Sequence, residues 1–283
     1  MTIQDVEPRV SRPNGMPKKL FGYEVIEYLG EGAGSNIYVV TDRSDGQIYA
    51  LKHVIRKTDK DDRHIAQLQN EFDVSRLFRH PGLRKYIAVK LKRSLLFQVK
   101  EAALLMEHVD GMPLDKQRPT DIPAIVRIFE QTAMALAGLH YLVYVHCDIK
   151  PNNILVSADG AVKLIDFGQA CKIGTVKQRI QGTADFMAPE QVKLFPVTVQ
   201  TDVYGFGATL YWTLTGRTVP TLYTVKKSER DIVREGKFPS PREWNPAVPE
   251  PLSDLVMECV KASPAWRPSG MEEILKRLKF LGI

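Results

Sequence analysis

The chemistry in this sequence concentrates in two short packets, "HCDIKPNN" from His146 to Asn153 and "LIDFG" from Leu164 to Gly168. The first holds a carboxylate at Asp148, an ammonium at Lys150 and a carboxamide at Asn153; the second adds a carboxylate at Asp166. One carboxylate can orient a hydroxyl nucleophile, while a second carboxylate and an amide oxygen are hard ligands of the kind Mg2+ takes. Each residue alone has a plainer role: Asp148 capping a turn, Lys150 as a solvated charge, Asp166-Phe167-Gly168 as a tight turn. Their occurrence together, in this order and behind a glycine-rich stretch, points to phosphate chemistry.

That stretch, "LGEGAGSNIYVV", sets Gly30, Gly32 and Gly34 on a turn between two strands. Glycines let the backbone approach phosphate oxygens closely, and exposed N–H groups in such a turn favour an anion. A plain glycine hairpin looks the same, so context matters. Lys52 follows in the apolar strand "YALKHV", where an ammonium must either snorkel or meet an anion. Glu71, on the helical stretch that comes next, is available as its partner.

The elements that must position these groups fall into two kinds. "YEVIEYLG", "SNIYVVTD", "QIYALKHV" and "EAALLMEHV" read as strands, with a hairpin turn at Ser44 to Gly46. Among them, "DDRHIAQLQNEFDVSRLF" spaces Ile65, Leu68, Phe72 and Ser75 as one helical stripe with Glu71 beside it. Beyond the "DGMPL" turn the pattern becomes helical, over "IPAIVRIFEQTAMALAGLHYL", "QTDVYGFGATLYWTLTG", "PLSDLVMECVK" and "MEEILKRLKFL". Short apolar strands at "NNILV" and "VKLIDFG" frame the two reactive packets. The class is α+β: a small sheet with one main helix, followed by a larger helical part. "MTIQDVEPRVSRPNGMPKKL", rich in proline and without periodicity, is expected to be a flexible arm over residues 1–20.

Composition bounds the rest. The 283 residues carry a formal net charge of +6, but the 39 basic residues are scattered and form no long block, so no nucleic-acid partner is expected. Cys147, Cys171 and Cys259 have no metal-ligand spacing and cannot all pair within the chain, which suits a reducing, cytoplasmic compartment. No run reaches the ~18 apolar residues of a membrane helix, and the first residues lack the apolar core of a signal peptide. No membrane partner is expected of this chain. Trp212, Trp244 and Trp266 read as packing residues, and His140 and His146 as structural rather than catalytic. "VKKSERDIVREGK" reads as a solvated helix or loop.

With these motifs in hand, the chain resembles a eukaryotic-type (Hanks-type) serine/threonine protein kinase, of the kind also found in bacteria. The resemblance runs from about Phe21 to Phe280 and implies the bilobal protein kinase fold, with an N-lobe over about 21–106, a hinge over 107–111 and a C-lobe over 112–280. It implies an ATP-dependent enzyme that needs Mg2+, with Mn2+ as an alternative, and acts on protein substrates in signalling. By the resemblance Lys52 holds the α- and β-phosphates and pairs with Glu71, Asp148 is the catalytic aspartate, Lys150 neutralises the γ-phosphate, and Asn153 and Asp166 are the metal ligands. The nucleotide site implied is Leu29, Gly30, Gly32, Gly34, Ser35, Ile37, Ala50, Lys52 and Met106, with backbone groups of Glu107 and Val109 meeting adenine. In "GTADFMAPE", Thr183 is expected to face Asp148 and Glu190 to pair with Arg267; Asp202 is expected to prop the catalytic loop. The alternative reading is a pseudokinase or nucleotide-binding scaffold, which would predict loss of Lys52, Asp148 or Asp166; all three are present. A small-molecule phosphotransferase shares the core chemistry, but "GTADFMAPE" argues against it, because it resembles the element that builds the peptide-docking surface in protein kinases.

Two departures stand out. The third glycine of the family's G-x-G-x-x-G pattern falls on Ser35, with Gly34 one residue early. The arginine of the family's H-R-D motif is Cys147, and the basic residue that joins it in gripping an activation-loop phosphate is Cys171. Between Gly168 and Gly182 the only hydroxyl is on Thr175, so activity is expected without phosphorylation there. Cys147 and Cys171 are expected to lie close in space, either as small apolar fillers of a lost phosphate pocket or as a redox latch.

Overall fold

The fold is described from a computed structural model, for residues 16–32, 34–95, 97–226, 231–232 and 236–283. The chain divides into two compact units, residues 1–69 with 86–108 and residues 70–85 with 109–283. The α+β class holds in this division, the first unit being a sheet and the second mainly helical. Residues 70–85, assigned from the sequence to the first part, belong with the second.

The first unit is a six-stranded sheet in the order β1 (Lys19–Leu20), β2 (Tyr23–Gly32), β3 (Ser35–Thr41), β4 (Ile48–Ile55), β6 (Val99–Glu107), β5 (Tyr86–Arg93), every described pair antiparallel. Strand alternation sends Tyr38, Val40, Leu51, Ala103 and Leu105 to one face, where they pack with Leu20, Tyr23 and Val25. The expected arm is therefore shorter than 20 residues. Positive φ at Phe21 and Gly22 turns Lys19–Leu20 back onto Tyr23 and Glu24, and burial of Leu20 in the sheet core holds the hairpin. Most of the arm, residues 1–15, lies outside the described residues. Strand β5 has no counterpart among the elements expected from the sequence, because Lys90, Lys92 and Arg93 break up its apolar pattern.

Helix α1 (Asp62–Ser75) buries Ile65, Leu68, Glu71, Val74 and Ser75, close to the expected stripe except that Phe72 is only half-buried. In the second unit, α2 (Ile122–Tyr141) starts at an Asp121 cap that accepts the Ala124 N–H at 2.9 Å. It is long and apolar enough to cross a membrane, contrary to the sequence expectation, but it buries Ile125, Phe129, Ala133, Leu136 and Leu139 in the second unit as a core helix does. Gly216, left-handed at φ 71°, ends α4 (Val199–Thr215). Strand β7 (Gly111–Pro113) precedes α2, and between α2 and α4 come β8 (Tyr144–Val145), β9 (Ile154–Ser157), β10 (Val162–Leu164), β11 (Cys171–Lys172) and the short α3 (Pro189–Val192); α5 (Pro241–Trp244), α6 (Glu250–Cys259) and α7 (Met271–Phe280) follow α4. Strands β7, β9 and β10 form one small sheet, and β8 pairs with β11 in a two-stranded ribbon.

The tryptophans are not uniform packing residues. Trp266 is 71% exposed, and Trp244, half-exposed, carries Arg217 over its ring at 3.8 Å and donates to the Tyr211 hydroxyl at 3.0 Å. Much of the stretch from Val225 to Lys237 lies outside the described residues.

Candidate active site

The loop after β8 is built around one buried carboxylate. Asp202, in the first turn of α4, accepts the His146 N–H and the Cys147 N–H, each at 2.8 Å, and the ring nitrogen Nε2 of His140 at 2.8 Å. Burial pushes this carboxyl up, but the hydrogen bond and charge of His140, with further help from His146, bring it below its ordinary value. Cys147 takes a left-handed φ of 65°, and its carbonyl accepts Gln191 Nε2 at 2.8 Å. With N–H and C=O both fixed, the next residue starts from a defined point. His146 is fully buried: Nδ1 accepts the Asp148 N–H at 3.3 Å, so Nε2 donates to the Ile165 carbonyl at 3.1 Å. Both histidines thus support the loop, as expected.

Asp148, Lys150, Asn153 and Thr183 come together. Lys150 Nζ donates to Asp148 Oδ2 at 2.9 Å and to Thr183 Oγ1 at 2.8 Å, and the Thr183 hydroxyl donates to Asp148 Oδ1 at 2.9 Å. The result is a closed triangle that engages both carboxylate oxygens. Asn153 Nδ2 donates to the Asp148 carbonyl at 2.8 Å, and the Ile165 N–H donates to the Asn153 carbonyl at 2.9 Å, so the two reactive packets share a backbone link.

Asp166 is left-handed, φ 66°, with Oδ1 accepting the Gly168 N–H at 3.2 Å. Phe167 is fully buried against Phe78 and His146, with ring centroids 5.1 and 5.4 Å away. One residue escaped the sequence reading. Asn70 Nδ2 donates to the carbonyls of Phe167, Gly168 and Ala170 at 3.2, 3.4 and 3.0 Å, anchoring the segment to α1. The only sequence signal was its place beside Glu71, which is itself buried.

The later segment is held with equal definition. Glu190 and Arg267 form a buried two-point ion pair at 2.7 and 3.0 Å, and Thr201 donates to Glu190 at 3.0 Å. Gln191, also absent from the sequence reading, links the Cys147 carbonyl, the Gln181 carbonyl and the Ala188 N–H.

In the first unit, four of the residues expected at the nucleotide, Ile37, Ala50, Lys52 and Met106, share a sheet face. The register pairs Ile37 with Lys52 and Ala50 with Met106, and alternation sets all four on the face opposite Tyr38, Leu51 and Leu105. Glu107 ends β6 opposite Tyr49. Leu29 is half-exposed at a bulge between Tyr28 and Gly30. The displaced glycine now has a reason. Gly34 sits at φ 81°, and a Cβ there would fall 2.2 Å from Nδ1 of His64, whereas Ser35 is buried in β3 with its hydroxyl donating to the Gly32 carbonyl at 2.6 Å. In the second unit, the Val109 carbonyl accepts the Gly111 N–H at 3.0 Å.

Among the described residues, no three His, Cys, Asp or Glu side chains gather as a metal cluster. The Asn153 amide nitrogen is committed to the loop backbone.

Comparison with known proteins agrees with this architecture. Residues 23–280 match the family model described as the protein kinase domain. The chain is 26% identical over 271 residues to serine/threonine-protein kinase PrkC of Bacillus subtilis, covering 93% of this chain and 41% of that protein. It is 28% identical over 268 residues to probable serine/threonine-protein kinase PknB of Lactococcus lactis, covering 89% and 41%. To mouse Aurora kinase B it is 26% identical over 265 residues, covering 92% and 74%. The chain spans about two fifths of the length of the two bacterial relatives. A match from Tyr23 to Phe280, over a sheet unit and a helical unit with the loop geometry above, makes this chain a member of the protein kinase domain family.

Proposed function

We propose that this chain is an ATP-dependent protein serine/threonine kinase that transfers the γ-phosphoryl group to protein hydroxyls in signalling. The observation that carries the reading is the triangle of Asp148, Lys150 and Thr183. An aspartate fixed this way can orient an incoming hydroxyl, and the neighbouring ammonium can take up charge on the transferring phosphoryl group. Lys150 beside Asp148 and a threonine against the same carboxylate suit serine and threonine acceptors.

Lys52, partnered by Glu71, holds the α- and β-phosphates; Gly30, Gly32, Gly34 and Ser35 cover them; Leu29, Ile37, Ala50, Met106, Glu107 and Val109 enclose adenine. Asn153 and Asp166 hold Mg2+, with Mn2+ as the alternative, since both are oxygen donors and no softer ligand set lies beside them among the described residues. Such a cation supplies charge neutralisation to the phosphate oxygens when bound.

Phosphorylation of Thr175 is not needed for activity. The reading is supported by Cys147 and Cys171 standing where an arginine and a second basic residue would grip such a phosphate, and by Asp202 and Gln191, which fix the Cys147 backbone in their place. Labelled ATP, Mg2+ and a generic protein substrate test the whole reading. Label on serine or threonine, lost in Asp148→Asn and on chelation, supports it; nucleotide binding without any transfer returns the chain to the scaffold class.

A further inference from the structure

Cys147 and Cys171 carry an inference that the phosphoryl chemistry does not use. Strand pairing sets Val145 opposite Cys171, Cys147 follows two residues after Val145 with a left-handed φ of 65°, and the two sulphurs lie 3.9 Å apart. They sit in a small apolar cluster with Val145, Val197 and Ile173. Their surroundings differ. Cys147 is 5% exposed with its backbone held on both sides, whereas Cys171 is partly exposed at the ribbon's edge. Lys177, whose ammonium donates to the Gln169 carbonyl at 2.6 Å, faces Cys171, as does the Thr175 hydroxyl.

We propose that Cys147 and Cys171 form an oxidisable dithiol, a modification site for hydroperoxides whose disulfide staples the catalytic loop to the segment after Asp166 in the arrangement seen here. A disulfide needs sulphurs about 2 Å apart, so closure takes about 2 Å of approach, supplied by the Cys171 side chain. Cys171 is the attacking sulphur. A hydrogen bond from Cys147 lowers its thiol most, against the opposing effect of burial, and Lys177 and Thr175 lower it further, to about 6. The partner thiol of Cys147 is pushed up by its role as donor, by burial and by the Asp202 carboxylate.

The chemistry balances with one peroxide. The Cys171 thiolate attacks a peroxide oxygen, the O–O bond breaks, hydroxide leaves, and a sulfenic acid forms. The Cys147 sulphur then attacks the Cys171 sulphur, the S–OH bond breaks, and the hydroxyl departs as water with the Cys147 proton. Two thiols lose two electrons in all, and hydrogen peroxide becomes two waters. Because the Cys147 thiol is held protonated, the second step is the slower one, and a sulfenic acid on Cys171 is trappable by dimedone.

The test is hydrogen peroxide at neutral pH on the folded chain, followed by peptide mapping without reductant. Cys259, fully buried, is the internal control. The expected result is a Cys147–Cys171 cross-linked peptide, a free Cys259, and a melting temperature raised by ~5 °C, as for a cross-link closing a loop of this span. In Cys147→Ser, dimedone should mark Cys171; in Cys171→Ser, Cys147 should stay reduced. Should Cys147→Ser fail to fold, the Cys171→Ser arm still decides. Free thiols at both positions after full peroxide consumption, or oxidation of Cys147 in Cys171→Ser at the wild-type rate, would overturn the proposal.

Discussion

Asp148 is the residue on which the proposed reaction turns. Asp148→Asn keeps the shape of the side chain and removes its charge, so the melting temperature should hold while phosphoryl transfer falls by about a hundredfold or more. Lys52→Met should behave alike in the first unit. Thermal melts with a radiolabel transfer assay check both, and a variant that melts normally yet stays active would remove that residue from the reaction. Thr175→Ala, by contrast, should change the rate less than about threefold, which is under about 1 kcal/mol of barrier. Cys171 answers to pH. Facing it are the Cys147 thiol, the Lys177 ammonium and the Thr175 hydroxyl, with Asp202 beyond Cys147, and together they bring its pKa to about 6. Its alkylation by iodoacetamide should therefore rise through pH 6 and level off near neutrality, because the thiolate is the reactive form, whereas an ordinary thiol rises between about pH 8 and 9.

Two local elements carry predictions of their own. The glycine turn between β2 and β3 admits no side chain at position 34, both for its φ of 81° and for the His64 ring. Gly34→Ala should cost about 1–3 kcal/mol and raise the KM for ATP, since the turn must open to seat the methyl group. Adding His64→Ala should recover the steric share and leave the backbone share, which a double-mutant cycle separates. Helix α1 holds the segment after Asp166 through one amide. Asn70→Asp retains the size of the side chain but replaces the donor to three carbonyls with an acceptor. It should lower stability by roughly 1–3 kcal/mol and expose residues 167–170 to limited proteolysis, while a merely space-filling Asn70 would tolerate the change.

The helical unit is pinned by the ion pair between Glu190 and Arg267, whose side chains are almost wholly buried. Arg267→Ala would leave the Glu190 carboxylate with Thr201 as a neutral donor and no compensating charge, a loss of about 3–5 kcal/mol. Most of that loss is the cost of stranding a charge. Arg267→Ala with Glu190→Gln should therefore melt higher than Arg267→Ala alone, and equal melting would show that the pair is not coupled.

What could be read without coordinates was what is local. Asp148, Lys150 and Asn153 declare themselves because a carboxylate, an ammonium and an amide within six residues have few bland explanations, and the helices over Ile122–Tyr141 and Met271–Phe280 because burial on one face imposes a 3.6-residue period. The ion pair of Glu190 with Arg267 was legible only through family resemblance, being 77 residues apart in sequence. Strand β5 was hidden by lysines whose ammonium groups lie over the rings of Tyr23 and Phe21, contacts no periodicity announces, and the pairing of Lys19–Leu20 by its brevity. His64 and Gln191 had no sequence signal, and Asn70 had only its place beside Glu71. Their partners lie far off along the chain or depend on one backbone angle, and a hydrogen bond across 97 residues, like that from Asn70 to Phe167, leaves no period to detect. The same holds for the two cysteines: residue type set what Cys147 and Cys171 could do, but the pairing of β8 with β11 and the left-handed turn at Cys147 decided that their sulphurs meet.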